Sequence, residues 1–172
     1  MIGKSYESLI GGNVKSASVI VVSDRVYSGE RPDKAGEIAE QLLTAEGFSV
    51  EQRVVIPEGR EAVEAHIASA LDAGVALVVT CGGTGVRPRN LTPEATEGFI
   101  STRLFGLEQL VLMEGLHNTR HAAMSRGIIG FTSRSEGGSL IVNAPGSRGG
   151  VEDTLRVVLE FWPRLSEGLT RH

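Results

Sequence analysis

The chain is short of several things, and each shortage closes off a class of function. It has one cysteine, Cys81, which excludes an internal disulfide and any multi-cysteine metal site. A reducing cytoplasm is the compartment this leads one to expect. Aspartate is confined to Asp24, Asp33, Asp72 and Asp153, so few such carboxylates are on hand as metal ligands or bases. No apolar run approaches the ~20 residues of a membrane span. The opening Met-Ile-Gly-Lys-Ser-Tyr-Glu-Ser lacks the charged-then-apolar shape of a secretory signal. Positive charge is not in excess: 17 Lys and Arg against 21 Asp and Glu leave a net −4. No nucleic-acid partner is expected, because such a partner calls for a basic face against its phosphates. What is plentiful is glycine, 22 of 172 residues, well above the usual ~7%. A chain of this length fits one domain.

Residues 1–16 are polar and without a period, and are expected to form a loose arm before a single domain over residues 17–172. Ala17 to Val22 reads as a buried strand. Ala35, Ile38, Ala39, Leu42 and Leu43 share one helix face, with Asp33 placed to cap it and Gly47 following its end. Phe48 to Ile56 predicts a second strand, stopped by Pro57. Val63, Ile67, Ala70 and Leu71 predict a second helix, and Val75 to Thr80 a third strand. Thr92-Pro93 reads as a helix start, with Thr92 as cap and Pro93 in the first turn. Residues 104–125 are expected to be helical, broken near Gly106 and Gly115. Gly127–Thr132 and Ser139–Val142 predict two strands, compatible with an antiparallel hairpin. Val151, Leu155, Val158, Leu159 and Trp162 predict a last helix that Pro163 ends or kinks. Alternating strands and helices mean an α/β fold, a mostly parallel sheet between helical layers. In such sheets ligands bind at the carboxyl ends of the strands.

Those ends carry the chemistry. Gly82-Gly83-Thr84-Gly85 follows a strand and precedes a helix, which suits either an anion cradle of backbone N–H groups or a tight structural turn. It is neither a P-loop nor a dinucleotide fingerprint. Ala144-Pro145-Gly146-Ser147 has the same setting, and the two together point to a phosphate-bearing small ligand. Asp24 can hold a metal or a ligand hydroxyl, or pair with Arg25. Glu94 sits where a helix dipole alone accounts for an acid. Asp72 and Asp153 read as helix-end residues. Arg87, Arg89 and Arg126 can reach phosphate or remain solvated. Cys81 has no histidine beside it in the motif. His66, His117 and His121 lack the spacing of a zinc site.

The ordered set Val22-Ser23-Asp24-Arg25, Ser28-Gly29, Asp33, Gly36, Thr80-Cys81-Gly82-Gly83-Thr84-Gly85, Thr92-Pro93-Glu94-Ala95-Thr96, Met124-Ser125-Arg126-Gly127 and Asn143-Ala144-Pro145-Gly146-Ser147 resembles the molybdopterin-binding family of molybdenum cofactor biosynthesis. It is most similar to the single-domain molybdopterin adenylyltransferases, over about residues 17 to 160. The resemblance implies a three-layer α/β/α fold of the molybdopterin-binding-domain type and a homotrimer. It implies transfer of an adenylyl group from ATP, with Mg²⁺, to molybdopterin, and a hand-over to a molybdenum-insertion protein. By the same carry-over Gly82, Gly83, Thr84, Gly85, Thr92, Glu94, Pro145, Gly146 and Ser147 are pterin and phosphate contacts. Ser23 and Asp24 belong to the first-strand part of the site.

The departures lie among the acids. Relatives carry Asp where this chain has Asn90, and Asp after the second strand's proline, where it has Glu58. An ungapped alignment sets Gln109 and Leu112 against a family Glu and Arg. Asp24, Glu58 and Asn90 are the expected catalytic positions, with Asp24 and Asn90 toward the metal. Asn90 keeps an acceptor oxygen but not the charge that Mg²⁺ prefers. The alternative function is a relative that holds or delivers molybdopterin with little or no adenylylation.

Overall fold

A computed structural model describes residues 15–170. The arm expected over residues 1–16 therefore lies outside the described residues as far as residue 14, and Ser16 already opens the first strand. The elements are β1 (Ser16–Val22), α1 (Asp24–Tyr27), α2 (Lys34–Ala45), β2 (Ser49–Ile56), α3 (Arg60–Asp72), β3 (Leu77–Cys81), α4 (Thr92–Glu97), β4 (Thr102–Arg103), α5 (Phe105–Asn118), β5 (Ile129–Phe131), β6 (Leu140–Ala144) and α6 (Arg148–Thr170). A 3-10 turn at Arg120–Met124 joins α5 to β5.

The strands form one sheet in the order β2-β1-β3-β6-β5-β4. The first four are parallel; β5 runs antiparallel to β6, and β4 antiparallel to β5. β1, β3 and β6 are buried along their whole length, as continuous apolar runs covered on both faces should be. Alternate β1 residues serve opposite layers, because side chains on a strand repeat every second residue. Val19 and Val21 join the core against α2 and α6, while Ile20 and Val22 join the core against α3 and α4. Each such fully buried side chain contributes about 1.5–3 kcal/mol. β2 is an edge strand, and its Glu51, Gln52 and Arg53 are exposed. The register aligns the strand ends: Val21 pairs with Cys81, Cys81 with Ala144, and Val22 with Ile56. Ser23, Glu58, Gly82 and Pro145 thus leave the sheet along one edge.

Two expectations need correction. α5 is not broken at Gly106 or Gly115; it runs unbroken from Phe105 and stops only at Thr119, whose backbone is extended. Gly115 instead lets Ala122 of the 3-10 turn pack against the helix, since a Cβ there would stand 2.8 Å from the Ala122 methyl. Nor does Pro163 end the last helix: α6 continues through it to Thr170. Its packing against the sheet through Val151, Leu155, Val158, Trp162 and Leu169 outweighs the loss of one backbone hydrogen bond at a proline.

Candidate functional site

The glycine loops meet where β3 and β6 end. Gly82 donates its N–H to Ala144 O at 3.0 Å. A Cβ on Gly146 would lie 3.3 Å from Gly82 Cα, so the two loops are in backbone contact. Gly82 and Gly83 adopt φ of +111° and +68°, a region that L side chains avoid. A Cβ on Gly82 would collide with the carbonyl oxygen of Val22, and one on Gly83 with the Thr92 hydroxyl. Gly82, Gly83, Thr84 and Thr92 are buried. Thr92 donates its hydroxyl to Gly82 O at 2.9 Å and its N–H to Gly83 O at 3.1 Å. It holds the loop and is the first residue of α4, not its cap.

Beneath the loops runs a closed polar network. Asn143 Nδ2 donates to Thr80 Oγ1 and to Thr96 Oγ1, both at 2.9 Å, and its Oδ1 accepts from Ile128 N at 3.2 Å. Thr96 in turn donates to Thr92 O at 2.8 Å. The side chains of this network all find partners, which is what a buried network needs if it is to rigidify rather than destabilise.

Arg126 fastens the same loop from outside. Its Nε donates to Gly85 O at 2.8 Å, one terminal nitrogen to Asn90 O at 2.7 Å, and the other to the Glu94 carboxylate. Its backbone N–H donates to Thr84 O, and its neighbour Ser125 donates to the Thr84 hydroxyl at 3.3 Å. The guanidinium holds the Glu94 carboxyl below its ordinary range. Glu94 is thus a loop anchor as well as a first-turn acid, and Arg126 spends its donors on the protein.

Toward β2 lies an acidic corner. Asp24 pairs with Arg89, not with Arg25, which instead meets Glu30. Arg89 donates to both Asp24 oxygens, at 3.0 and 3.1 Å, and to Glu58 O at 2.7 Å. Glu58 N donates to Asp24 Oδ1 at 3.0 Å. The Arg89 hydrogen bonds, more than any other contact, keep the Asp24 carboxyl below its usual value. Asn90 donates through Nδ2 to Glu58 Oε1 at 2.6 Å, while its Oδ1 accepts from Arg87 N at 3.1 Å. Ser23 caps α1 by accepting from Val26 N, and Asp33 caps α2 by accepting from Gly36 N. Asp24, Glu58 and Asn90, distant in sequence, are therefore linked to one another. They do not make a resident Mg²⁺ site as they stand: the Asp24 oxygens and Asn90 Oδ1 already accept protein donors. Among the described residues no three His, Cys, Asp or Glu side chains gather as a ligand set.

On the other side of the Pro145 loop is a cavity of about 420 Å³ between α5, the 3-10 turn and the start of α6. Pro145 and Ser147 line it, with Asn143, Gly149 and Gly150 beside them. Ser147 caps α6, accepting from Gly150 N at 3.1 Å, so the N-terminus of a long helix, which favours anions, opens on the cavity. Its far wall holds Val111 and Leu112. Gln109 does not line the cavity, but its neighbour Glu108 does, accepting from Ile129 N and from Arg103. Asp153 is not a helix-end residue but a buried cavity-wall carboxylate, clamped by Asn118 Nδ2 at 3.0 and 3.1 Å. Glu108 and Asp153 escaped sequence reasoning because their role depends on how α5 meets α6. Cys81 is buried beneath the loop, and burial pushes its thiol far up, which leaves it unreactive.

Two adjoining loops at a parallel-sheet edge, a helix start of the kind that favours anions and an apolar-walled cavity thus stand together in an α/β fold. Residues 18–166 match the family described as "Probable molybdopterin binding domain", and the chain belongs to that family, which works in molybdenum cofactor biosynthesis. It is 32% identical over 151 residues to a molybdopterin adenylyltransferase of Helicobacter pylori, covering 84% of this chain and 82% of that one. A Corynebacterium diphtheriae structure assigned to molybdenum cofactor biosynthesis superposes with TM-score 0.84 at 43% identity, covering 91% of this chain and 98% of that one. The molybdopterin biosynthesis enzyme MoaB of Thermus thermophilus superposes with TM-score 0.79 at 33% identity, covering 88% and 94%. Against four longer curated relatives the chain spans only 22–45% of their length.

Proposed function

We propose that the protein adenylylates molybdopterin. The observation that carries this reading is the contact between the Gly82 and Gly146 loops, which sets the acidic corner and the cavity on either side of one backbone platform. The pterin lies in the cavity against Val111 and Leu112, with its phosphate toward the α6 N-terminus. ATP lies over the Gly82–Gly85 loop toward Asp24 and Glu58, arriving as its magnesium complex. A terminal phosphate oxygen of molybdopterin attacks the α-phosphorus of ATP. The bond to the bridging oxygen of the β-phosphate breaks, and that oxygen leaves as part of pyrophosphate. The chain's part is positioning and charge stabilisation, as phosphoryl-type transfers require. Loop geometry fixed by Thr92, Asn143 and Arg126 is pre-organised for it. ATP labelled at its α-phosphate should pass its label to the pterin; retention of the label on the nucleotide in the presence of bound pterin would instead favour a carrier that holds molybdopterin and hands it to a molybdenum-insertion protein.

The working form is a homotrimer. Leu107 and Val111 turn toward the core, but Phe105, Met113 and Leu116 of α5 stand 60%, 58% and 43% exposed, and Met124 beside them 51%. An apolar face of this kind marks an interaction surface, and a second copy of the chain is its occupant. A monomer in light scattering at micromolar concentration would refute this.

A further inference from the structure

The acidic corner already contains a cation. We propose that Arg89 is the positioning residue that serves as its built-in counter-charge, so that the free protein takes up no divalent ion there and metal enters only on the nucleotide's phosphates. This rests on the adenylyl-transfer reading for its purpose but not for its test.

The geometry is specific. Nε and one terminal nitrogen of Arg89 each meet an oxygen of Asp24, and that terminal nitrogen also reaches Glu58 O. This planar fork is a match that only arginine provides. Three chain segments are joined by it: the end of β1, the turn between β2 and α3, and the exit of the glycine loop. Two further bonds tie the corner: Asp24 Oδ1 also accepts from Glu58 N, and Glu58 Oε1 accepts from Asn90 Nδ2. A divalent ion at Asp24 would have to displace the guanidinium and then sit beside it. Like charges at such separations repel strongly enough to matter even near the surface. Yet the Arg89 and Asp24 side chains remain 60% and 40% exposed, so the guanidinium is free to swing toward an incoming triphosphate, which offers it more anionic oxygens than Asp24 does.

Charge and shape can be separated by substitution. Free Mn²⁺, followed by its electron paramagnetic resonance signal without nucleotide or pterin, reads the corner alone. Wild type should bind Mn²⁺ no more tightly than the millimolar range. Arg89→Gln should tighten binding by about tenfold, since a unit charge is removed from beside two carboxylates. Arg89→Lys, which keeps the charge but loses the fork, should stay near wild type, and Arg89→Gln with Asp24→Asn should return to it. Stoichiometric binding of Mn²⁺ by wild type at micromolar concentration, or equal affinity in the Gln and Lys variants, would overturn the proposal. Because no substrate is present, neither result depends on whether the protein adenylylates molybdopterin.

Discussion

The two flanks of the Gly82 loop are held by opposite means. On the inner flank Gly82, Gly83, Thr92 and Asn143 are buried and fixed by backbone packing and neutral hydrogen bonds. On the outer flank Asp24, Glu58 and Asn90 are half-buried and Arg89 is exposed, and they are fixed by an ion pair and side-chain hydrogen bonds. Backbone packed against backbone has one arrangement. An exposed ion pair is worth little and exchanges partners readily. The inner flank is therefore a platform, and the outer flank is the part that can rearrange around a charged substrate.

That contrast breaks most sharply at Gly82. Gly82→Ala puts a methyl group into the Val22 carbonyl at a φ of +111°. It should cost about 3 kcal/mol or more of folding stability, read as a shifted urea midpoint. Asn143→Ala comes next. It leaves the Ile128 N–H without its acceptor and the Thr80 and Thr96 hydroxyls without a donor, at about 2–3 kcal/mol.

The inner flank was legible in the sequence and the outer one only in part. Glycines clustered after strands announce tight backbone, and strand alternation placed both loops on one edge. Asp24 and Glu58 stand out as acids and Arg89 as an arginine that can reach phosphate, but its pairing with Asp24 is not legible, because a side-chain contact across 65 residues leaves no periodic trace. Arg126, open in the sequence between a phosphate contact and a solvated residue, proves to be a loop staple. Pro163 misled because local helix rules do not register the packing of α6 on the sheet.

Smaller effects sharpen the outer flank. Asn90→Asp replaces a donor to Glu58 by a like charge and should cost about 1–2 kcal/mol without metal. It also assembles three acids, so millimolar Mg²⁺ should recover part of that loss in thermal unfolding while leaving wild type unmoved. The smallest effect is that of pH. Asp24 and Glu94 are held low by Arg89 and Arg126. Their stabilisation is complete above the ordinary carboxylate range and drains away as pH falls through the lowered values. Glu94→Gln should remove the Glu94 share while leaving the Arg126 bonds to Gly85 O and Asn90 O in place. Its deficit against wild type should be under about 1 kcal/mol at pH 7, given the exposure of both partners, and should vanish near pH 2.

The claim that both flanks form one active site is tested most directly by pyrophosphate release from ATP and molybdopterin, measured beside pterin binding in wild type and Asp24→Asn. Wild type should release one pyrophosphate per adenylylated pterin. The variant should lose about a hundredfold in rate, roughly 2.7 kcal/mol of transition-state stabilisation, with pterin affinity unchanged. Tight pterin binding by wild type without pyrophosphate release, or equal release by both proteins, would contradict it.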